Sequence, residues 1–166
     1  AINKMDVPGA NPDRVKKDLA NHELVPEEWG GDTIMGPVSA KQKTGLDLLL
    51  ENVVLQAEVL ELTSNPKRPA VGAIIEAKLD RGRGPVATVL VQEGTLKLGD
   101  AIVTGTHYGR VRAMNNSRGE QVKEVLPGYS AEQIGLSGVT TAADTINEEA
   151  DEKSAKQIGD HRAMKE

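Results

Sequence analysis

The chain has 166 residues, of which 38% are apolar and 27% are charged, a balance typical of one globular domain or of two small ones. It contains no cysteine, which excludes disulfides and thiolate metal sites, and it has no apolar run of about eighteen residues that would indicate a membrane span. The net charge of −5 hides a basic middle, because residues 66–126 carry 10 basic and 6 acidic side chains, and such a local excess favours contact with nucleic acid.

Two apolar runs near the start of the chain each end in a polar motif. The first ends in N-K-x-D at residues 3–6, and the second ends in S-A-K at residues 39–41. A guanine ring presents two adjacent donors, N1–H and the N2 amine, and the Asp6 carboxylate can accept both. The backbone N–H of Ala40 can donate to O6, and the stems of Lys4 and Lys41 can cover the two ring faces.

The pair of motifs resembles the base-recognition half of a P-loop GTPase. We therefore predict that this part of the chain binds the guanine end of GTP or GDP. The residues expected to make these contacts are Asn3, Lys4, Asp6, Ser39, Ala40 and Lys41.

Helical patterns follow each of the two motifs. Asn11 is a suitable N-cap with Pro12 in the first helical position, which predicts a short amphipathic helix after the first motif. A longer pattern of Leu, Val and Ala at helical spacing runs from Leu46 to Leu60. We expect its apolar face to pack on the sheet of a nucleotide-binding domain.

Prolines at positions 66 and 69 mark a domain boundary, because they flank charged residues and cannot continue a helix. Short β-rich runs with glycine-bearing turns between them follow, and they predict a small closed or nearly closed β-barrel. The predicted domains are residues 1–64, residues 65–150 and a tail, residues 151–166, in which a helix can start. The predicted strands are Val71–Leu79, Pro85–Gln92, Ala101–Thr104, Gly109–Met114 and Glu120–Val125.

Two segments near the end of the chain give weaker patterns. Residues 146–149, Ile-Asn-Glu-Glu, are polar for a barrel strand, so formation of the last strand stays open. The tail has Ala155 and Ile158 on one stripe but Gly159 within it, which predicts at best a frayed helix without a partner to cover it.

Three longer stretches, Pro26–Asp32, Ile75–Thr88 and Tyr108–Met114, resemble bacterial translation initiation factor two, and the resemblance covers nearly the whole chain. It implies an α/β fragment, the last part of a P-loop GTPase domain, followed by an all-β barrel of the translational-GTPase second-domain type. The P-loop, the switch segments and the catalytic histidine of the family are expected before residue 1. The resemblance therefore makes the parent protein a GTPase and assigns no catalytic residue to this chain.

The resemblance also implies a function and a set of partners. It implies a factor that binds GTP and the small ribosomal subunit, promotes initiator tRNA binding and subunit joining, and hydrolyses GTP on the ribosome. Mg²⁺ is expected in the parent protein but not in this chain, and initiator tRNA is expected to bind a part that follows residue 166. We expect a cytoplasmic monomer with no membrane contact.

Basic side chains of the barrel are expected to contact ribosomal RNA. Arg110 and Arg112 lie two residues apart in a predicted strand and therefore share one face. No aromatic other than Tyr108 is expected to be available for base stacking. We therefore predict recognition of RNA shape and backbone rather than of base sequence. The predicted RNA-binding residues are Arg81, Arg83, Lys97, Arg110 and Arg112.

Other classes of protein fit the sequence less well. A nucleotide-free RNA-binding or ribosome-binding module and a sister elongation GTPase stay open as alternatives. A circularly permuted GTPase is excluded because the sequence contains no Gly-Lys dipeptide and therefore no P-loop motif after N-K-x-D. Three scattered histidines and no paired carboxylates give no support to a protease, a glycosidase or a metalloenzyme.

Overall fold

A computed structural model describes residues 1–165 and divides them into two compact units, one that ends at Leu62 and one that begins at Thr63. The predicted tail extends to Glu166, which lies outside the described residues. In residues 1–165, no helix is both long and apolar enough to cross a membrane. The fold class predicted above is confirmed, since a helical and parallel-paired unit precedes a closed barrel.

The first unit is built on two helices and a short parallel pairing. Helix α1, Pro12–Ala20, begins as predicted, with the Asn11 side chain accepting a hydrogen bond from the backbone N–H of Arg14 at 3.2 Å. Helix α2 spans Leu46–Val59, and a single 3₁₀ turn, Glu27–Trp29, lies between the two helices. No residue of α2 is buried within the described chain, and most of its predicted packing face is exposed, although Leu46 and Leu49 are half-buried.

Backbone hydrogen bonds hold together the two chain segments that carry the polar motifs. The Ile2 N–H donates to the Gly36 carbonyl at 2.8 Å, and the Val38 N–H donates to the Ile2 carbonyl at 2.8 Å, in a parallel arrangement. Ile2 and Val38 are both buried. The residues that follow each apolar run therefore leave the pairing side by side.

The second unit contains a six-stranded closed barrel in the order β1-β2-β7-β5-β4-β8, with a separate two-stranded sheet of β3 and β6. Its core is aliphatic and centres on Ile74, Val89, Ile102 and Met114. Closure leaves no unpaired sheet edge in the barrel. The strands are β1 Val71–Asp80, β2 Gly84–Glu93, β3 Leu96–Lys97, β4 Ala101–Thr104, β5 His107–Asn116, β6 Glu124–Val125, β7 Ser130–Leu136 and β8 Thr145–Glu149.

Strands β3, β6 and β7 differ from the sequence prediction, and the two-residue strand β3 was not predicted. Strand β7 was not predicted, although it joins β2 to β5 and is needed to close the barrel. The run predicted over Glu120–Val125 is reduced to the two residues of β6. The polar strand β8 does form, because it pairs with both β1 and β4 and because the Glu148 carboxylate accepts the Ala70 N–H at 2.7 Å.

The prediction of a frayed terminal helix is wrong. Helix α3, Glu152–Ala163, is capped by Asp151, which accepts the Ser154 N–H at 2.7 Å, and this hydrogen bond lowers the pKa of the Asp151 carboxyl. Ala155 is fully buried against Ala101 and Val103 of the barrel. The small residues Ala155 and Gly159 permit this docking. At Gly159 an added Cβ would lie 2.9 Å from the Thr106 carbonyl oxygen and 3.1 Å from the Tyr108 ring.

Candidate functional site

Side-chain hydrogen bonds connect the N-K-x-D and S-A-K segments in the first unit. The Ser39 hydroxyl donates to Asp6 Oδ1 at 2.7 Å, and the Ala40 backbone N–H donates to Asn3 Oδ1 at 3.0 Å. Ser39 is only 1% exposed, whereas Asp6 is half-buried and Asn3, Lys4, Ala40 and Lys41 are exposed. The structure thus places all six predicted base-contact residues in two adjacent loops.

Ser39 holds the Asp6 carboxylate in place. Its hydroxyl donates to Asp6 and at the same time accepts the backbone N–H of Gln42 at 3.2 Å. A hydroxyl that is fixed on both sides restricts the carboxylate that it contacts. This positioning role of Ser39 differs from the direct base contact that the sequence predicts.

The Ala40 N–H is already used in the structure. It was predicted to donate to guanine O6, but it donates to the Asn3 side chain instead. Because Asn3 is exposed, its amide can exchange this partner for water or for a ligand. Lys4 has a left-handed backbone with φ of 63°, which directs the chain around the tight turn between Asn3 and Asp6.

Arg110 and Arg112 project from an irregular part of β5. Gly109 pairs with Leu136 and Ala113 pairs with Ile134, so three β5 residues face the single residue Gly135. Both arginines are exposed, and Val111 between them is buried, as the sequence predicts for a strand face. The extra residues form a bulge that directs the arginines outward.

Arg110 is held by its surroundings. Its Nε lies 3.0 Å from Glu152 Oε2 of α3, and its NH1 donates to the Gly99 carbonyl at 3.0 Å. The acidic partner comes from α3. The ion pair is exposed, so it contributes little to stability and can exchange for another anion.

The remaining predicted RNA-binding residues lie on other elements. Arg81 and Arg83 are in the β1–β2 turn, and Lys97 is in β3 opposite Glu124. Arg83 contacts Glu132 at 3.2 Å and Asp80 at 3.2 Å, and these hydrogen bonds raise the pKa of its guanidinium. The Gly82 and Arg83 N–H groups donate to Asp80 and lower the pKa of its carboxyl. Because Arg83 also contacts Glu132 of β7, it links the β1–β2 turn to that strand.

A groove beside Tyr129 was missed by the sequence reasoning. Tyr108, the aromatic expected to be available for base stacking, packs with Ala101, Val103 and Ala155 under α3. Tyr129 is 67% exposed and lines a cavity of about 450 Å³ with Arg118. Its position directly after the turn residues Pro127 and Gly128 was the available signal, because turns and loops run over the protein surface.

The known proteins that this chain matches are translation factors. The family Elongation factor G domain 2 matches residues 69–149, the barrel. Translation initiation factor IF-2 from Stigmatella aurantiaca is 86% identical over all 166 residues, and that from Myxococcus xanthus is 81% identical. The same factor from Anaeromyxobacter sp. is 63% identical. The chain spans 16% of the length of the first two relatives.

Solved structures support the fold. The GDP-bound aIF5B crystal structure from Aeropyrum pernix matches 98% of this chain and 36% of its own, with a TM-score of 0.72 and 21% identity. A bacterial selenocysteine-specific elongation factor matches 87% of this chain and 25% of its own, with a TM-score of 0.56 and 24% identity. Taken with the sequence identities above, the chain belongs to the translation initiation factor IF-2 family, as a segment of the longer proteins it matches.

Proposed function

We propose that this chain supplies the guanine-recognition loops and an RNA-docking barrel of a GTP-binding translation initiation factor. The parent protein binds the small ribosomal subunit, promotes initiator tRNA binding and subunit joining, and hydrolyses GTP on the ribosome. The observation that carries the proposal is the 2.7 Å hydrogen bond that fixes the Asp6 carboxylate beside the S-A-K loop. The whole-chain identity to IF-2 relatives supports the same assignment.

The two loops suit a guanine base. Asp6 accepts the N1–H and N2 donors, and Ser39 keeps its carboxylate oriented for both. The Ala40 N–H leaves Asn3 and donates to O6. The stems of Lys4 and Lys41, both exposed, cover the ring faces while their ammonium groups stay in water. The GDP in the matched aIF5B structure is consistent with this class of ligand.

The other partners are assigned to other parts of the parent protein. Binding of the phosphates and of Mg²⁺ needs a P-loop, and residues 1–166 contain no such motif. Mg²⁺, when bound, shields the charge of the phosphates, and the residues described here hold only the base. Initiator tRNA binds outside this segment, and the factor acts in the cytoplasm as a monomer.

The barrel docks on small-subunit RNA through the exposed bulge that carries Arg110 and Arg112. The bulge directs both guanidinium groups to the surface, and phosphate oxygens can reach them there. Arg110 exchanges Glu152 for a phosphate, which costs little because that ion pair is exposed. Arg81 and Arg83 in the β1–β2 turn and Lys97 in β3 add to the positive potential of the barrel.

Removing both arginines is expected to weaken small-subunit binding and to flatten its salt dependence. Each phosphate contact contributes about 0.7 to 0.9 units to the slope of log K against log salt, so an Arg110→Ala, Arg112→Ala variant should lose about 1.4 to 1.8 units. The measurement is sedimentation of the chain with purified small subunits across a salt series. An Arg14→Ala, Lys17→Ala variant removes the same charge from the exposed face of α1 and serves as the control. An unchanged slope in the bulge variant, or an equal loss in the control, would rule out this docking surface.

A further inference from the structure

We propose that the groove beside Tyr129 binds one unpaired nucleotide of RNA, with the base stacked on the Tyr129 ring and a phosphate at Arg118. The proposal rests on the proposed function in one respect, that the polymer is RNA. It adds a second contact that neither the arginine bulge nor the guanine loops provide. The groove, called the Tyr129 groove below, is lined by Asn116, Arg118, Glu124, Leu126, Tyr129 and Ser130.

The Tyr129 ring is carried on a fixed stretch of backbone. The Val91 N–H donates to the Tyr129 carbonyl at 3.0 Å, and the Gly128 N–H donates to the Val91 carbonyl at 2.7 Å. These bonds hold the Tyr129 backbone against β2 while the side chain stays 67% exposed. A ring on a fixed backbone loses little conformational freedom when a base stacks on it.

Arg118 lies in a loop that is also fixed. Asn116 Oδ1 accepts the N–H groups of Arg118 at 2.9 Å and Glu120 at 3.0 Å, and Gly119 completes the turn with φ of 78°. Within residues 1–165, no carboxylate lies within 4 Å of the Arg118 guanidinium. The groove therefore combines a cationic and an aromatic side chain, each carried on fixed backbone, before any ligand arrives.

The size and chemistry of the groove favour a nucleotide. Its volume of about 450 Å³ falls in the range of sites for small ligands. The exposed side chain of Leu126 extends the apolar floor beside Tyr129, which suits a planar base, while Ser130 and Glu124 supply polar groups for the base edge. Arg118 supplies the charge that a phosphate requires, and an aromatic ring beside an arginine is the usual means of holding an unpaired base.

The test uses the 166-residue chain and a single-stranded RNA hexamer with one central 2-aminopurine, whose fluorescence is quenched when it stacks on an aromatic ring. The wild type is expected to quench the probe. Tyr129→Ala should weaken binding by about 5-fold to 150-fold and abolish quenching, because stacking is worth about 1 to 3 kcal/mol per base. Tyr129→Phe should keep both, since it keeps the ring. Arg118→Ala should lower the salt slope by about 0.7 units while quenching at saturation remains.

Two comparisons make the result specific. Trp29 is 49% exposed in the other unit, so Trp29→Ala tests whether a different aromatic quenches the probe, and it should leave quenching unchanged. An unlabelled hexamer with an abasic central residue should compete more weakly than the intact hexamer. The Arg110→Ala, Arg112→Ala variant should still quench the probe, which separates this site from failure of the proposed docking surface. Unchanged binding in Tyr129→Ala, loss of quenching in Trp29→Ala, or equal competition by the abasic hexamer would overturn the proposal.

Discussion

An Asp6→Asn variant of a full-length protein that contains this segment is expected to lose roughly 10,000-fold in GTP affinity and to bind XTP instead. The Ser39 hydroxyl donates to Asp6 Oδ1, so in the variant the amide oxygen keeps this bond and the amide NH₂ faces the base. An NH₂ group repels the N2 amine of guanine but donates to the C2 carbonyl of xanthine. Equilibrium competition of GTP and XTP against a fluorescent nucleotide measures the change.

The control for this switch is Asp18→Asn, which removes the same charge from the exposed surface of α1 in the same unit. It should leave the preference for GTP unchanged. If Asp6→Asn keeps the wild-type affinity for GTP and gains none for XTP, then Asp6 does not read the base.

A Gly135→Ala variant is expected to destabilise the barrel by about 4 kcal/mol or more, which lowers the melting temperature by roughly 16 °C or more. Gly135 has φ of 141°, and an added Cβ would overlap the Arg110 carbonyl oxygen and lie 3.1 Å from the Arg112 nitrogen. These are backbone atoms, so no side chain can move to relieve the overlap. Thermal unfolding followed by far-UV circular dichroism measures the loss.

Two glycine controls separate the overlap from the backbone conformation. Gly119 has φ of 78° with no atom within 4 Å of an added Cβ, so Gly119→Ala should cost only about 1 kcal/mol. Gly82→Ala, in the β1–β2 turn, should be close to neutral because the nearest atom is 3.6 Å away. Trp29 fluorescence reports the first unit and should stay as in the wild type. A Gly135→Ala protein with wild-type stability would show that β5 and β7 do not approach as described.

Alternating apolar residues between glycine turns made most barrel strands predictable. Most aliphatic residues of β1, β2, β4 and β5 are buried or half-buried, although Ile75 and Leu79 of β1 are exposed. Strand β4 has the predicted bounds, and the structure extends the other three strands by one or two residues at one or both ends. The start of α1 was predictable because its cap is local, formed by Asn11 three residues from its donor. Local patterns of this kind depend only on near neighbours.

The missed elements depend on distant contacts. Strand β7 contains Glu132 and Gln133, and Gln133 is fully buried in the barrel with no hydrogen-bond partner for its amide within the described chain. Strand β8 is polar and is held by Ala70, which lies 78 positions earlier in the chain. Helix α3 is stable because Ala155 and Gly159 fit against strands more than forty residues away. Sequence periodicity contains none of this information.

At the candidate site, the residue types were predictable and their hydrogen bonds were not. The two motifs named the loops that the structure brings together, but the bonds from Ser39 to Asp6 and from Ala40 to Asn3 depend on the parallel pairing of distant segments. The Glu152 partner of Arg110 could not be anticipated from a tail that was expected to be frayed. Tyr108 is covered because α3 docks on the barrel beside it, whereas Tyr129 stays exposed.

The guanine site is tested most directly by NMR of the isotope-labelled 166-residue chain during titration with guanosine, which lacks phosphates and so probes the base contacts alone. Binding should move the Ala40 amide resonance and the Asn3 side-chain amide resonances, because the Ala40 N–H must leave Asn3 Oδ1 to donate to O6. Adenosine, which has an amine in place of O6, should leave these resonances unchanged. Resonances of Ala40 and Asn3 that do not move with millimolar guanosine, or that move equally with adenosine, would contradict a guanine site formed by the two loops.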